Sequence, residues 1–208
     1  ATENGHQDVM ALLLNKNADP DSKDGRGRTP LHYLAETRHP ELVKLLLDKN
    51  ADPNIKDGRS RTSLHYAAEN GHQDVVKLLL DKNAYPNTTG GRDRTPLHYA
   101  AENGHQGVVK LLLDKNANPN SSEGGNRRTP LHYAAENGYQ EIVTLLLDGG
   151  VNPNSKDSGG RTPLQYAVQN GHQEVVKLIL DKNADLNIKR DYSGIWTPLH
   201  YAAENGHR

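Results

Sequence analysis

The sequence predicts an all-α solenoid of stacked helix-turn-helix units joined by hairpin-like loops, and three observations lead there. First, Thr29, Thr62, Thr95, Thr129, Thr162 and Thr197 mark one recurring point at intervals of 33, 33, 34, 33 and 35 residues, the spacing of a repeat array. Second, each of these threonines opens nearly the same phrase, as in "TPLHYAAENGH" at 95 to 105. Third, only 34% of the 208 residues are apolar, with no Phe, no Cys and one Trp. That is little for one compact core, but it suits thin layers that each bury Leu, Val and Ala.

The array divides into a partial unit at 1–28, full units at 29–61, 62–94, 95–128, 129–161 and 162–196, and a partial unit at 197–208. In every full unit but 62–94 Thr precedes Pro, the order expected where a hydroxyl caps free helix N–H groups and proline takes the first helical position. Within the third unit Leu97, Ala100 and Ala101 fall at i, i+3 and i+4 and share a face, while Tyr99 at i+2 points roughly the other way. Gly104 is placed to end this first helix in a left-handed cap. The second helix, "QGVVKLLLDKN" at 106–116, carries Val108, Val109, Leu111, Leu112 and Leu113. That stripe is wider than one neighbour requires, so it predicts contact on two sides. The second helices then end at Asn17, Asn50, Asn83, Asn116 and Asn183, with Gly150 the exception. Asn is the next best residue after Gly for the left-handed conformation.

These phrases together resemble the ankyrin repeat: a hairpin loop, a Thr-Pro-Leu-His helix start, a Gly-His turn, an apolar second helix and an "ADxN" return. The likeness spans essentially the whole chain. Departures are local: Ser63 stands for Pro, Gln165 for His, Tyr139 for the turn His, and "TRHPE" at 37–41 for the usual "NGHQE". The resemblance implies a non-enzymatic scaffold that holds a protein partner in a concave groove. It also implies that His32, His65, His98, His132 and His200 tie helix starts to adjoining loops, often through the Thr of the same motif. On the partner-binding surface it places a ladder of Arg28, Arg61, Arg94, Arg128, Arg161 and Trp196. A second ladder holds Tyr33, Tyr66, Tyr99, Tyr133, Tyr166 and Tyr201, and a third holds Glu36, Glu69, Glu102, Glu136 and Glu204.

The residues also bound what the chain does. Eleven histidines invite a metal or general-base reading, yet residues one repeat apart do not converge within about 2.0–2.3 Å of one point. No HExxH, GxSxG or GxxxxGK[ST] pattern occurs, so neither catalytic residues nor a metal nor a cofactor is expected. No apolar run approaches the roughly 18 residues of a membrane span, and the N-terminus has no signal core, which points to a soluble, cytoplasmic chain. Asn87 and Asn120 match glycosylation acceptors, but both stand where Asn54, Asn154 and Asn187 serve the loop.

Ten of the twelve arginines lie in the loops before each Thr, called fingers below. Arg and Tyr are enriched at interface hot spots. Asp24, Asp57, Asp93, Glu123, Asp157 and Asp191 supply one acid per finger and could satisfy these arginines locally. An alternative reading is polyanion or nucleic-acid binding through the Arg and Tyr ladders; the net charge of -1 and the acidic helix ends weigh against it. Another alternative is an engineered consensus-like scaffold, against which scattered departures such as Tyr85, Thr144 and Val151 count. Both ends fall inside a unit, which predicts either a piece of a longer array or head-to-tail self-association, the helix from Pro198 stacking beside the first helix of the next molecule.

Overall fold

A computed structural model describes residues 7–188 and 196–206. Arg190, Asp191, His6 and His207 lie outside the described residues. Among those described there are twelve α-helices and no strand. The first helices of successive units are α2 (Pro30–Thr37), α4 (Ser63–Glu69), α6 (Pro96–Glu102), α8 (Pro130–Asn137), α10 (Pro163–Gln169) and α12 (Pro198–Glu204). The second helices are α1 (Gln7–Asn15), α3 (Pro40–Asp48), α5 (Gln73–Asp81), α7 (Gln106–Asp114), α9 (Gln140–Asp148) and α11 (Gln173–Asp181).

Side-chain size sets the shape of the stack. First helices meet through alanines such as Ala67, Ala68, Ala100, Ala101, Ala134 and Ala135, all fully buried, and small residues let helix axes approach. Second helices meet through Val and Leu, with Val109, Leu112, Val143 and Leu146 fully buried. First helices accordingly pack against one another more closely than second helices do. This difference bends the array, with the first helices and fingers on the inner, concave side. Each of α3, α5, α7 and α9 touches the second helices before and after it as well as its own first helix, as the wide apolar stripe predicts.

The caps follow the sequence. Asn17, Asn50, Asn83, Asn116 and Asn183 have φ between 61° and 63°, and Gly150 has φ 80°. The Ala51 N–H then returns to Leu46 O at 3.0 Å, closing the second-helix end. Since glycine enters this conformation without a Cβ penalty, Asn50→Gly should be neutral or mildly stabilising in chemical denaturation, with no loss beyond about 1 kcal/mol. Gly71, Gly104, Gly138 and Gly171 end first helices at positive φ. In the unit 29–61 the same place is taken by Arg38 at φ 57°, the structural consequence of its "TRHPE" departure.

The histidines join the layers. Thr62 donates its N–H to His65 Nδ1 at 3.0 Å, and the Thr62 hydroxyl lies 2.9 Å from the same nitrogen. Because Nδ1 accepts, the proton sits on Nε2, which donates to Arg94 O at 3.1 Å, the residue just before the next Thr. His32, His98 and His132 repeat this pattern with Arg61 O, Arg128 O and Arg161 O. Gln165 reproduces it with an amide: Oε1 accepts from Thr162 N–H at 2.9 Å, and Nε2 donates to Ile188 O and Trp196 O, each at 3.1 Å. The turn histidines point back instead: His72, His105 and His172 donate to Glu36 O, Glu69 O and Glu136 O at 2.9–3.0 Å. Where Tyr139 replaces that histidine, Glu102 O accepts from Asn137 Nδ2 at 3.2 Å. Asn87 is committed to the loop: its Nδ2 donates to Asn116 O and its Oδ1 accepts from Asn118 N–H.

Candidate functional site

The three ladders lie side by side on the concave face, and they are bonded to one another. The guanidinium groups of Arg28, Arg61, Arg94 and Arg128 are each held between two tyrosine rings, that of the same rung and that of the next. Arg61 Cζ is 4.1 Å from the centre of Tyr66 and 4.6 Å from that of Tyr99. Arg28 stacks in the same way on Tyr33 and Tyr66, Arg94 on Tyr99 and Tyr133, and Arg128 on Tyr133 and Tyr166. Arg161 lies over Tyr166 at 4.9 Å. The stack ends at Trp196, whose ring meets Tyr201 at 5.3 Å. Cations over aromatic faces attract the ring quadrupole, and more strongly where water is excluded.

The far end of each guanidinium reaches the carboxylate eight residues on. Arg28 and Arg94 donate to Glu36 and Glu102 at 2.5 Å, and Arg61 and Arg128 donate to Glu69 and Glu136. Arg161 finds Gln169 instead, at 3.2 Å. Glu204 has no arginine in the equivalent place, because Trp196 stands there.

This geometry differs from the outward Tyr ladder that helical spacing predicts. Tyr66, Tyr99, Tyr133, Tyr166 and Tyr201 are only 5–8% exposed, and Tyr33 is half-buried. The tyrosines do leave the helix–helix face, but the finger of their own unit folds over them and the arginines cover the rings. The arginines are tucked in likewise, with side chains of Arg28, Arg61, Arg94 and Arg128 10–14% exposed. What these two ladders offer to a partner is therefore the rim of the guanidinium and phenol groups. The arginines one or two places earlier, Arg26, Arg59, Arg92 and Arg127, are exposed at the finger tips.

The finger acids take a role that the sequence reading did not assign. Asp57 Oδ1 accepts from Arg59 N–H and Arg61 N–H at 2.8 Å, and Oδ2 accepts from the Tyr66 hydroxyl at 2.6 Å. Asp24 and Asp157 hold Tyr33 and Tyr166 in the same way, at 2.5 and 2.7 Å. The acid therefore fixes the finger's turn and anchors it to the first helix. It does not take up the guanidinium; Glu123, 3.6 Å from Arg94 Nε, comes nearest to doing so. Burial, together with the hydrogen bond to Asp57, pushes the Tyr66 phenol up to about 12, so it is a hydrogen-bond donor throughout the physiological range.

Between fingers and first helices the concave face opens into pockets. One of about 780 Å³ is lined by Arg26, Arg28, Glu36, Asp57, Gly58, Arg59, Arg61, Tyr66 and Glu69. The next along the groove, about 560 Å³, is lined by Arg59, Arg61, Glu69, Gly91, Arg92, Arg94 and Tyr99. Among the described residues no three His, Cys, Asp or Glu side chains stand together as metal ligands, and no helix is long and apolar enough to cross a membrane.

A stack of paired helices, with seven histidines spent on hydrogen bonds between layers, defines the class of helical repeat solenoids. Comparison with known proteins gives the family. The description "Ankyrin repeats (3 copies)" matches residues 1–90, 55–123, 121–191 and 150–208, and the chain belongs to the ankyrin-repeat family. No curated protein sequence matches it. Among solved structures it is similar to the ankyrin repeat domain of Bcl-3, described as a unique member of the IkappaB protein family. That match has 28% identity and a TM-score of 0.82, and it covers 97% of this chain and 91% of that one. In all, 641 solved chains match, so the likeness fixes architecture and does not single out a partner. Ankyrin repeats are in general protein-interaction modules without enzymatic activity, and none of these matches indicates an enzymatic family.

Proposed function

We propose that this chain binds a protein partner along its concave groove. In this reading Arg28, Arg61, Arg94, Arg128, Arg161 and Trp196, together with Tyr33, Tyr66, Tyr99, Tyr133, Tyr166 and Tyr201, form the groove floor. The exposed tips Arg26, Arg59, Arg92 and Arg127 form its edge. The observation that carries the reading is the open 780 Å³ pocket, which brings guanidinium, phenol and carboxylate groups from two neighbouring units within reach of one ligand. Arginine on such a rim can grip a carboxylate with two parallel hydrogen bonds, and a floor already fixed by its own stack costs little to order on binding.

Combined replacement of Arg59, Arg92 and Arg127 by Ser tests the reading. These side chains are exposed, so stability should change by less than about 1 kcal/mol in urea titration, while retention of a protein partner by the immobilised chain should fall at least about tenfold. Unchanged retention would discard the groove edge. Retention that collapses with salt whatever the protein offered would favour the polyanion reading.

The head-to-tail association is a second proposal, supported by the exposed apolar side chains Val9, Leu12 and Leu13 at one end of the stack and Leu199 at the other, 49–78% exposed. Light scattering should show mass rising with concentration, and a constant monomer mass would remove it.

A further inference from the structure

The third finger departs from its siblings at one position. Asp24, Asp57 and Asp157 each stand five residues before the unit's Thr, and Glu123 six before; in the third unit that place is Gly90. The backbone does not require glycine there, since Gly90 has φ −98° and ψ −159°, an extended conformation open to any residue. Asp93 in the same finger does not compensate. It turns toward the fourth finger, where its Oδ2 would stand 2.4 Å from a Cβ at Gly124.

The groups that an acid would hold are present and left over. Tyr66 and Tyr166 donate to Asp57 and Asp157, but the hydroxyl of Tyr99, a residue 8% exposed, has no hydrogen-bond partner among the described residues. Arg28, Arg61 and Arg161 donate their N–H groups to the acid of their own finger at 2.8 Å, whereas Arg94 N–H, like Arg128 N–H beside Glu123, has no acceptor among those residues. The Arg61 side chain lies against the same place, its Cγ 3.2 Å and His65 Nε2 3.1 Å from where a Gly90 Cβ would stand. The Arg61 Nε is buried without a partner. The Nε atoms of other rungs are unpaired too, and Tyr133 finds Glu123 as Tyr66 finds Asp57, so the discriminating absence is the one at Tyr99. The pocket here is lined by four arginines against the single carboxylate Glu69, with Glu102 beside it on Arg94. Its neighbour sets four arginines against Glu36, Asp57 and Glu69.

We propose that the pocket beside Gly91 and the Tyr99 hydroxyl, next to the buried Gly90, is a seat for a carboxylate of an acidic protein partner, an Asp or Glu side chain that completes the third rung as Asp57 completes the second. The occupant's chemistry is read from the chain itself. Four sibling units fill the place with their own Asp or Glu, so the donors are spaced for a carboxylate on a short stem. A phenol hydroxyl makes a stronger hydrogen bond to a charged acceptor than to a neutral one. The seat rests on the groove reading above and names the chemistry of its partner.

The decisive variant is Gly90→Asp, which offers the chain's own carboxylate to the same donors. The probe is a fluorescein-labelled Gly-Ser peptide with a central Asp-Glu-Asp, read by fluorescence polarisation against the same peptide carrying Asn-Gln-Asn. The wild-type chain should bind the acidic peptide and not the amide one. Gly90→Asp should weaken that binding at least about tenfold, the worth of one buried charge-assisted bond, while raising the urea midpoint. Gly90→Asn, which fills the place without the charge, should weaken it as well, and it keeps the test open should the first variant fold poorly. Acidic-peptide binding that survives both substitutions but is lost on replacing Arg59 and Arg92 would overturn the seat and leave the groove reading standing. Loss of neither would overturn both. Inorganic phosphate or a single-stranded oligonucleotide binding at the Gly90-sensitive site in place of the peptide would overturn the carboxylate assignment.

Discussion

Lowering the pH from 6.5 toward 4 should destabilise the array by several kcal/mol in all, on the order of 2–3 kcal/mol for each of three buried histidines. Burial is the first cause of the shift: His65, His98 and His132 are pushed down to about 4 from their ordinary value of 6.5. Hydrogen bonds from Nε2 to Arg94 O, Arg128 O and Arg161 O oppose the shift, as does the nearby Asp157 for His132, whereas Arg61 and Lys56 reinforce it for His65, Arg94 and His132 for His98, and Arg128 for His132. His32 is lowered in the same direction. The sign follows from the depressed folded value. The imidazoles stay neutral in the fold while those of the unfolded chain take up protons below 6.5, so stability is full above 6.5 and is lost as pH falls toward the folded value. The bond pattern gives the atomic reason. Nδ1 accepts from the Thr N–H, and a proton placed there would face that N–H. His98→Gln should therefore fold normally at pH 7, since Gln165 already serves in that position, and should flatten the acid limb by on the order of 1 kcal/mol per pH unit. Urea titrations at half-unit pH steps check this, and an unaltered slope in the variant would assign acid unfolding to other groups.

Leu112→Ala should cost about 2–5 kcal/mol, whereas Leu13→Ala should cost less than about 1. Leu112 is fully buried in α7 between α5 and α9, while Leu13 is 50% exposed on α1. The contrast is a property of stacking. A central second helix closes against neighbours on both sides, so the lost side chain leaves a cavity that neither neighbour can fill alone. Urea unfolding of the two variants side by side measures it, and comparable losses would mean that α1 is covered in solution.

The features that could be read in advance are those carried by local sequence. Thr before Pro placed every described first helix but α4, where Ser63 takes the proline's position and Thr62 still begins the helix. Asn before Ala placed the left-handed ends, because φ > 0 restricts the residue itself. The ladders were legible as rows, and their burial was not. A helical projection sets Tyr99 opposite Leu97, and only the fold of the finger onto α6 turns that outward face into a covered one. The Arg–Glu pairs join a loop to a helix end eight residues away, a distance no helical or strand period reports. Their signature was nevertheless present in co-occurrence, since Arg161 meets Gln169 where the glutamate is missing. The finger acids had been counted one per unit, and the count concealed Gly90. Measured from each Thr, Asp93 stands two residues before and its siblings five or six, and that register is what separates an acid that anchors its own tyrosine from one that faces the next finger.

Photo-crosslinking tests the groove most directly. A benzophenone side chain is placed in turn at Arg59 and Arg92 on the finger tips, and at Lys77 and Lys110 on the outward faces of α5 and α7, all four positions being exposed. If the concave face is the binding surface, the same protein partner should be trapped from Arg59 and Arg92 and not from Lys77 or Lys110. Trapping from the lysine positions alone would place the partner on the convex helices and contradict the account.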